Sequence, residues 1–189
     1  MYRNVLRKSG DELFQENAVP VGIKLFDFWQ WSSSDLLCNA LRGRLAEFLV
    51  ASALGVAIGT RIEWDAIDVI SLSGVKVEVK SSAYLQSWKG KPSRITFDIQ
   101  HKRVWDWDTN SRAANLTRTA DVYVFCLLDH QDPESIDPMN LNQWRFFVLA
   151  TEELEAKLGQ QKTLSLTTLK SLKAREVKYS DLAKAVDLA

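Results

Sequence analysis

The stretch Ile67-Asp68-Val69-Ile70-Ser71-Leu72-Ser73-Gly74-Val75-Lys76-Val77-Glu78-Val79-Lys80-Ser81 decides the reading of this chain. On either side of Leu72-Ser73-Gly74 the residues follow a period of two, which predicts strands over 61–70 and 75–81 joined in a hairpin. A three-residue loop with Gly74 in the left-handed region sets Asp68 opposite Glu78, Val69 opposite Val77 and Ile67 opposite Val79. A two-residue loop would set Asp68 opposite Val79 and break both the apolar and the acidic arrangement. In the longer-loop register Lys76, Glu78 and Lys80 share one face, while Val75, Val77 and Val79 share the other.

Two carboxylates held side by side repel unless a cation lies between them, so Asp68 and Glu78 together ask for a metal. Oxygen donors without a cluster of His or Cys favour a hard ion, Mg²⁺ or Mn²⁺. Such an ion polarises a phosphoryl oxygen and acidifies a bound water. Lys80, on the same face, is placed to orient that water or to neutralise charge on phosphorus. Asp65 is the rival first acid, but it shares neither the face nor the register of Asp68.

Glu-x-Lys alone is a poor signal, because the chain has two more copies, Glu155-Ala156-Lys157 and Glu176-Val177-Lys178. The first lies on a helical pattern, where residues two apart do not face each other. The second lacks an acidic residue close upstream. Only Glu78 and Lys80 combine a strand pattern with a nearby aspartate.

Working outward, residues 1–20 read as a polar, weakly patterned N-terminal arm. Ile23 to Trp31 is dense in aromatics and reads as a segment packed on the core. Ser32-Ser33-Ser34-Asp35 offers N-cap chemistry, and Leu37, Leu41, Leu45, Phe48 and Leu49 follow at helical spacing up to Gly55. That predicts a helix over 35–54. Beyond the hairpin, a third strand is expected at 94–100 and a short helix within 102–119. Asp121 to Leu128 carries a continuous apolar run, Val-Tyr-Val-Phe-Cys-Leu-Leu, as in a strand buried on both faces. A fifth strand at 144–150, a helix opening at Thr151-Glu152 and a last helix at 181–186 complete one domain over 1–189. The order is that of an α/β sandwich with a central mixed sheet flanked by helices.

Asp68-Val69-Ile70 followed by Val77-Glu78-Val79-Lys80-Ser81-Ser82 resembles the motif of the PD-(D/E)XK, restriction-endonuclease-like nuclease superfamily. The resemblance covers residues 35–128 and matches that family's α-β-β-β-α-β core order. It implies Asp68, Glu78 and the backbone carbonyl of Val79 as metal ligands, and Lys80 as catalytic base or stabiliser. It also implies an assisting glutamate on the preceding helix, here Glu47 in Arg42-Gly43-Arg44-Leu45-Ala46-Glu47-Phe48. One departure is Ile67, where the family often has proline before the first acid. The wording around the motif is also similar to uncharacterised bacterial proteins, which carry no substrate with them. The activity implied is Mg²⁺-dependent hydrolysis of phosphodiester bonds in DNA. A catalytically inactive nucleic-acid-binding or interaction module on the same fold is the alternative.

Composition bounds these expectations. The chain has 189 residues, 24 basic and 24 acidic, so no overall basicity announces a nucleic-acid partner. The charge is uneven, however: 80–118 holds eight Lys or Arg against three Asp, a stretch suited to a phosphate backbone or to a solvated face. Within and just before it, Ser81, Ser82, Gln86, Lys102 and Arg103 are weak candidates for nucleic-acid contact, the last two beside Trp105 and Trp107. A packed role for these aromatics and for Gln86 is the commoner outcome. His101 and His130 stand alone, without a Gly-x-Ser-x-Gly motif, and no phosphate-binding glycine loop is present. No apolar stretch is long enough to span a bilayer, and no signal peptide is evident. Two cysteines suit a reducing cytoplasm. DNA is the expected partner, no membrane is, and pairing of two chains stays open.

Overall fold

The computed structural model describes residues 5–62, 66–88, 90–103, 105–106, 111–112 and 116–189. The chain opens on an antiparallel hairpin, β1 (Leu13–Glu16) and β2 (Val19–Lys24), turned through Asn17 and Ala18 at positive φ, and runs into α1 (Leu25–Ser33). This corrects the expected core-packed aromatic segment. No side chain of α1 is buried, and Trp31 is 86% exposed.

The helix α2 (Asn39–Ala53) begins four residues later than expected. Asp35 accepts hydrogen bonds from the N–H groups of Leu37 and Cys38 at 3.2 and 3.3 Å, so it shapes a turn ahead of the helix instead of capping it. Gly55, at φ +71, ends the helix. Next come β3 (Val69–Ile70) and β4 (Lys76–Ala83), then β5 (Thr96–Asp98), β6 (Trp105–Asp106) and β7 (Ser111–Arg112). The second half holds β8 (Val122–Leu128), β9 (Trp144–Ala150), α3 (Thr151–Leu158), β10 (Thr163–Ser165), α4 (Leu166–Ser171), β11 (Arg175–Val177) and α5 (Leu182–Asp187).

Five strands form the central mixed sheet in the order β11-β9-β8-β4-β3, with β4 parallel to β8 and the other pairs antiparallel. Every residue of β8 is buried, as its unbroken apolar run requires. Its side chains alternate between two cores. Val122, Val124, Cys126 and Leu128 pack with Ala46, Leu49 and Val50 of α2 and with Leu182 of α5. Tyr123, Phe125 and Leu127 pack with Phe97, Leu154, Leu164 and Leu169. Helices therefore cover both sides of the sheet, as the sequence reading expects.

Three expectations need correcting. Among the described residues, the strand expected over 61–70 is reduced to Val69–Ile70. The strand near 94–100 does not join the central sheet, because β5 pairs with β10 in a separate two-stranded ribbon. The region 102–119 shows no helix among its described residues. It instead carries the β6–β7 pair and a bridge between Lys102 and Thr117. Its runs of one sign of pattern are only two residues long, too short to show a period.

Candidate functional site

The β3–β4 hairpin has the register read from the sequence, with Val69 opposite Val77. The Ser71 N–H donates to Val75 O at 2.9 Å across the loop Leu72-Ser73-Gly74, and Gly74 adopts φ +87. The left-handed region is costly for any residue with a Cβ, so glycine suits this corner. Ser71 Oγ reinforces it by accepting from Val75 N–H at 3.0 Å.

Continuing this register one step brings Asp68 alongside Glu78. The Asp68 Oδ2 atom accepts from Val79 N–H at 2.8 Å, so the aspartate side chain takes over the β4 donor as β3 ends. Glu78 points to the face of the sheet shared with Tyr123, its partner on β8. Its side chain is 6% exposed, and both Lys80 Nζ and Lys102 Nζ lie 2.6 Å from its Oε1. Burial alone would push the Glu78 carboxyl up, but the two ammonium groups overcome it and hold the carboxyl below its ordinary value. Asp68 goes the other way, pushed up to about 6 by burial and by the Glu78 charge, against the pull of the Val79 N–H. Glu47, near the middle of α2, adds to that upward push. Its own carboxylate is engaged by Arg61, whose Nη2 donates to Oε1 at 3.0 Å. Burial also raises the Tyr123 hydroxyl to about 12, with Glu78 adding to the effect.

Asp68 and Glu47 thus lie close enough to Glu78 and Lys80 of β4 for their charges to act on one another. A cavity of about 370 Å³ is bordered by Glu47, Asp68, Arg7, Arg44 and Arg61, and its lining stops short of Glu78 and Lys80. The weaker candidates have other placements. Ser81 and Gln86 both accept from the buried Arg42 guanidinium, at 3.2 and 2.9 Å, which ties α2 to β4 and the loop after it. Ser82 is buried in the strand and Arg103 is exposed. The rival acid Asp65, and Trp107, lie outside the described residues. Lys102 is the residue whose place the sequence did not reveal. It comes to Glu78 through its bridge to Thr117, and no local pattern encodes that pairing.

The donor set suits a small hard cation. Asp68 and Glu78 offer carboxylate oxygens with the Val79 carbonyl in the strand between their contacts, and water would complete the shell. Among the described residues no three His, Cys, Asp or Glu side chains converge on one point. In their place, the ammonium groups on Glu78 and the Arg61 guanidinium on Glu47 supply the positive charge that the carboxylates require.

Residues 27–168 match the family model of bacteriophage T4 endonuclease IV. The chain belongs to the bacteriophage T4 endonuclease IV family. The match runs from α1 into α4 and contains Glu47, Asp68, Glu78, Lys80 and Lys102, whereas β11 and α5 fall beyond it. Membership of an endonuclease family supports a DNA nuclease. Neither a curated protein nor a solved structure matches the chain. No described helix is long and apolar enough to cross a membrane.

Proposed function

We propose that the chain is a metal-dependent endonuclease of the PD-(D/E)XK kind that hydrolyses phosphodiester bonds of DNA. The observation that carries this reading is the approach of Asp68 to Glu78 at the hairpin, where Asp68 Oδ2 accepts from Val79 N–H at 2.8 Å and Lys80 Nζ lies 2.6 Å from Glu78. Asp68, Glu78 and the Val79 carbonyl would hold a Mg²⁺ or Mn²⁺ ion, which would supply Lewis acidity and lower the pKa of a water. Lys80, 2.6 Å from Glu78, orients the attacking water and offsets negative charge gathering on the phosphoryl oxygens. As the water oxygen bonds to phosphorus it releases a proton to solvent, the P–O bond to the leaving sugar oxygen breaks, and that oxygen takes up a proton from solvent. Glu47 assists from α2 by adding negative charge near Asp68. The two free cysteines, Cys126 buried and Cys38 half-buried, suit a reducing cytoplasm.

Nicking of plasmid DNA with and without EDTA tests the reading. The wild type should cut only with the divalent ion, and Lys80→Ala should lose about 10²-fold or more of the rate, as for loss of a charge-stabilising donor. Cutting in EDTA would refute the metal dependence, and full activity in Lys80→Ala would remove the lysine from the mechanism. Metal binding with no cleavage of any DNA would favour the non-catalytic binding module.

A further inference from the structure

We infer that Lys102 is a second lysine of this centre: its ammonium holds the place of positive charge on Glu78 and gives it up when a divalent cation binds, turning then toward the phosphodiester. The inference rests on the metal-dependent reading above. Lys80 and Lys102 both reach the same oxygen, Glu78 Oε1, each at 2.6 Å. A carboxylate oxygen that serves a metal cannot keep two ammonium groups at that distance, because a divalent ion repels each of them strongly at such separations.

Which lysine yields follows from where each is anchored. Lys80 lies within β4, and its side chain is only 15% exposed. Lys102 is 55% exposed, so its side chain has water within reach once the contact with Glu78 is given up. Its backbone, by contrast, is fixed. Lys102 N–H donates to Thr117 O and Thr117 N–H donates to Lys102 O, both at 3.0 Å. The next residue, Arg118, has a fully buried side chain that donates to Ile99 O at 2.8 Å and to Gln161 O at 3.2 Å and pairs with Glu155 at 2.8 Å. Lys102 is therefore a half-exposed side chain on a held stem, tied at its head to Glu78. Once displaced, it remains beside the acids, where an anionic phosphate is the next partner for an ammonium group.

Calorimetric titration of the full chain with Mn²⁺, without DNA, tests the inference on wild type, Lys102→Gln and Lys102→Arg. Lys102→Gln should bind Mn²⁺ about tenfold more tightly, since a competing charge is gone, and cleave about tenfold more slowly at saturating metal. Lys102→Arg should bind metal as the wild type does. A gain in affinity cannot come from a misfolded variant. In wild type, the ammonium signal of Lys102 in ¹H–¹⁵N spectra should be protected without metal and lost on adding Mg²⁺. Unchanged or weaker Mn²⁺ binding in Lys102→Gln, or an ammonium signal that persists with Mg²⁺, would overturn the inference while leaving the metal reading intact. Failure of the wild type to bind any divalent ion would overturn both.

Discussion

At the scale of single residues, Asp68 combines a structural bond with an electrostatic burden. Its carboxylate accepts from Val79 N–H, yet burial beside Glu78 pushes its pKa up to about 6, from an ordinary value of 3.8. A carboxyl raised in the folded state binds protons more tightly there than in the unfolded chain. Stability contributed by this group is therefore full below the unfolded value and falls as pH rises through about 6. Asp68→Asn keeps an acceptor for Val79 and removes the charge. In EDTA it should melt higher than wild type at pH 7.5, by on the order of 2 kcal/mol or less, with the gain gone near pH 4. Thermal melts at the two pH values check this. A melting point lowered equally at both would mean that the hydrogen bond outweighs the charge. Saturating Mg²⁺ should reverse the ranking, because only the wild type keeps both anionic ligands.

Elements add what residues alone lack, which is register. Gly74→Ala meets no atom within 4 Å at the new Cβ, so its cost is the positive φ alone, about 1 kcal/mol. Deleting Ser73 is a different matter. It shortens the loop to two residues, sets Asp68 opposite Val79 and should abolish Mn²⁺ binding in calorimetry, whereas Gly74→Ala should retain it. Equal binding in both would show that the register does not build the site. The hairpin was legible in the sequence because a period of two, a glycine corner and a pair of acids all pointed to one alignment. The run Val122–Leu128 was legible too, because full burial leaves no polar alternation. Other parts left no local trace. Glu176-Val177-Lys178 was set aside as a candidate site, and Arg175–Val177 in fact forms an edge strand on β9, with Glu176 bonded to Arg145 at 2.7 Å. The place of Lys102 depends on Thr117, fifteen residues away, and the aromatic helix α1 buries none of its side chains despite its hydrophobic composition.

For the molecule as a whole, the two cores lie on the sheet and the N-terminal arm contributes to neither. Gly10 is buried, but against Trp29 and Phe26 of the arm itself. A chain shortened to begin after Ser34 should therefore unfold in urea within about 1 kcal/mol of the full-length midpoint stability. A larger loss would mean that the exposed aromatics of α1 bear on the body of the protein in solution.

The parallel alignment of β4 with β8 has a consequence for the order in which the molecule becomes competent. Two neighbouring strands of this kind cannot be closed by a short turn, and here the intervening chain from Tyr84 to Asp121 must return before Glu78 meets Tyr123. Closing such a long loop costs entropy before any contact repays it, so this pairing belongs late in folding. Lys102 travels on that same returning segment. Whereas the hairpin can bring Asp68, Glu78 and Lys80 together early and locally, the second ammonium on Glu78, that of Lys102, arrives only when the sheet is nearly complete. A partly folded chain thus presents the two acids with one of their two lysines and no finished centre, and the ability to cut DNA should appear together with the cooperative native state.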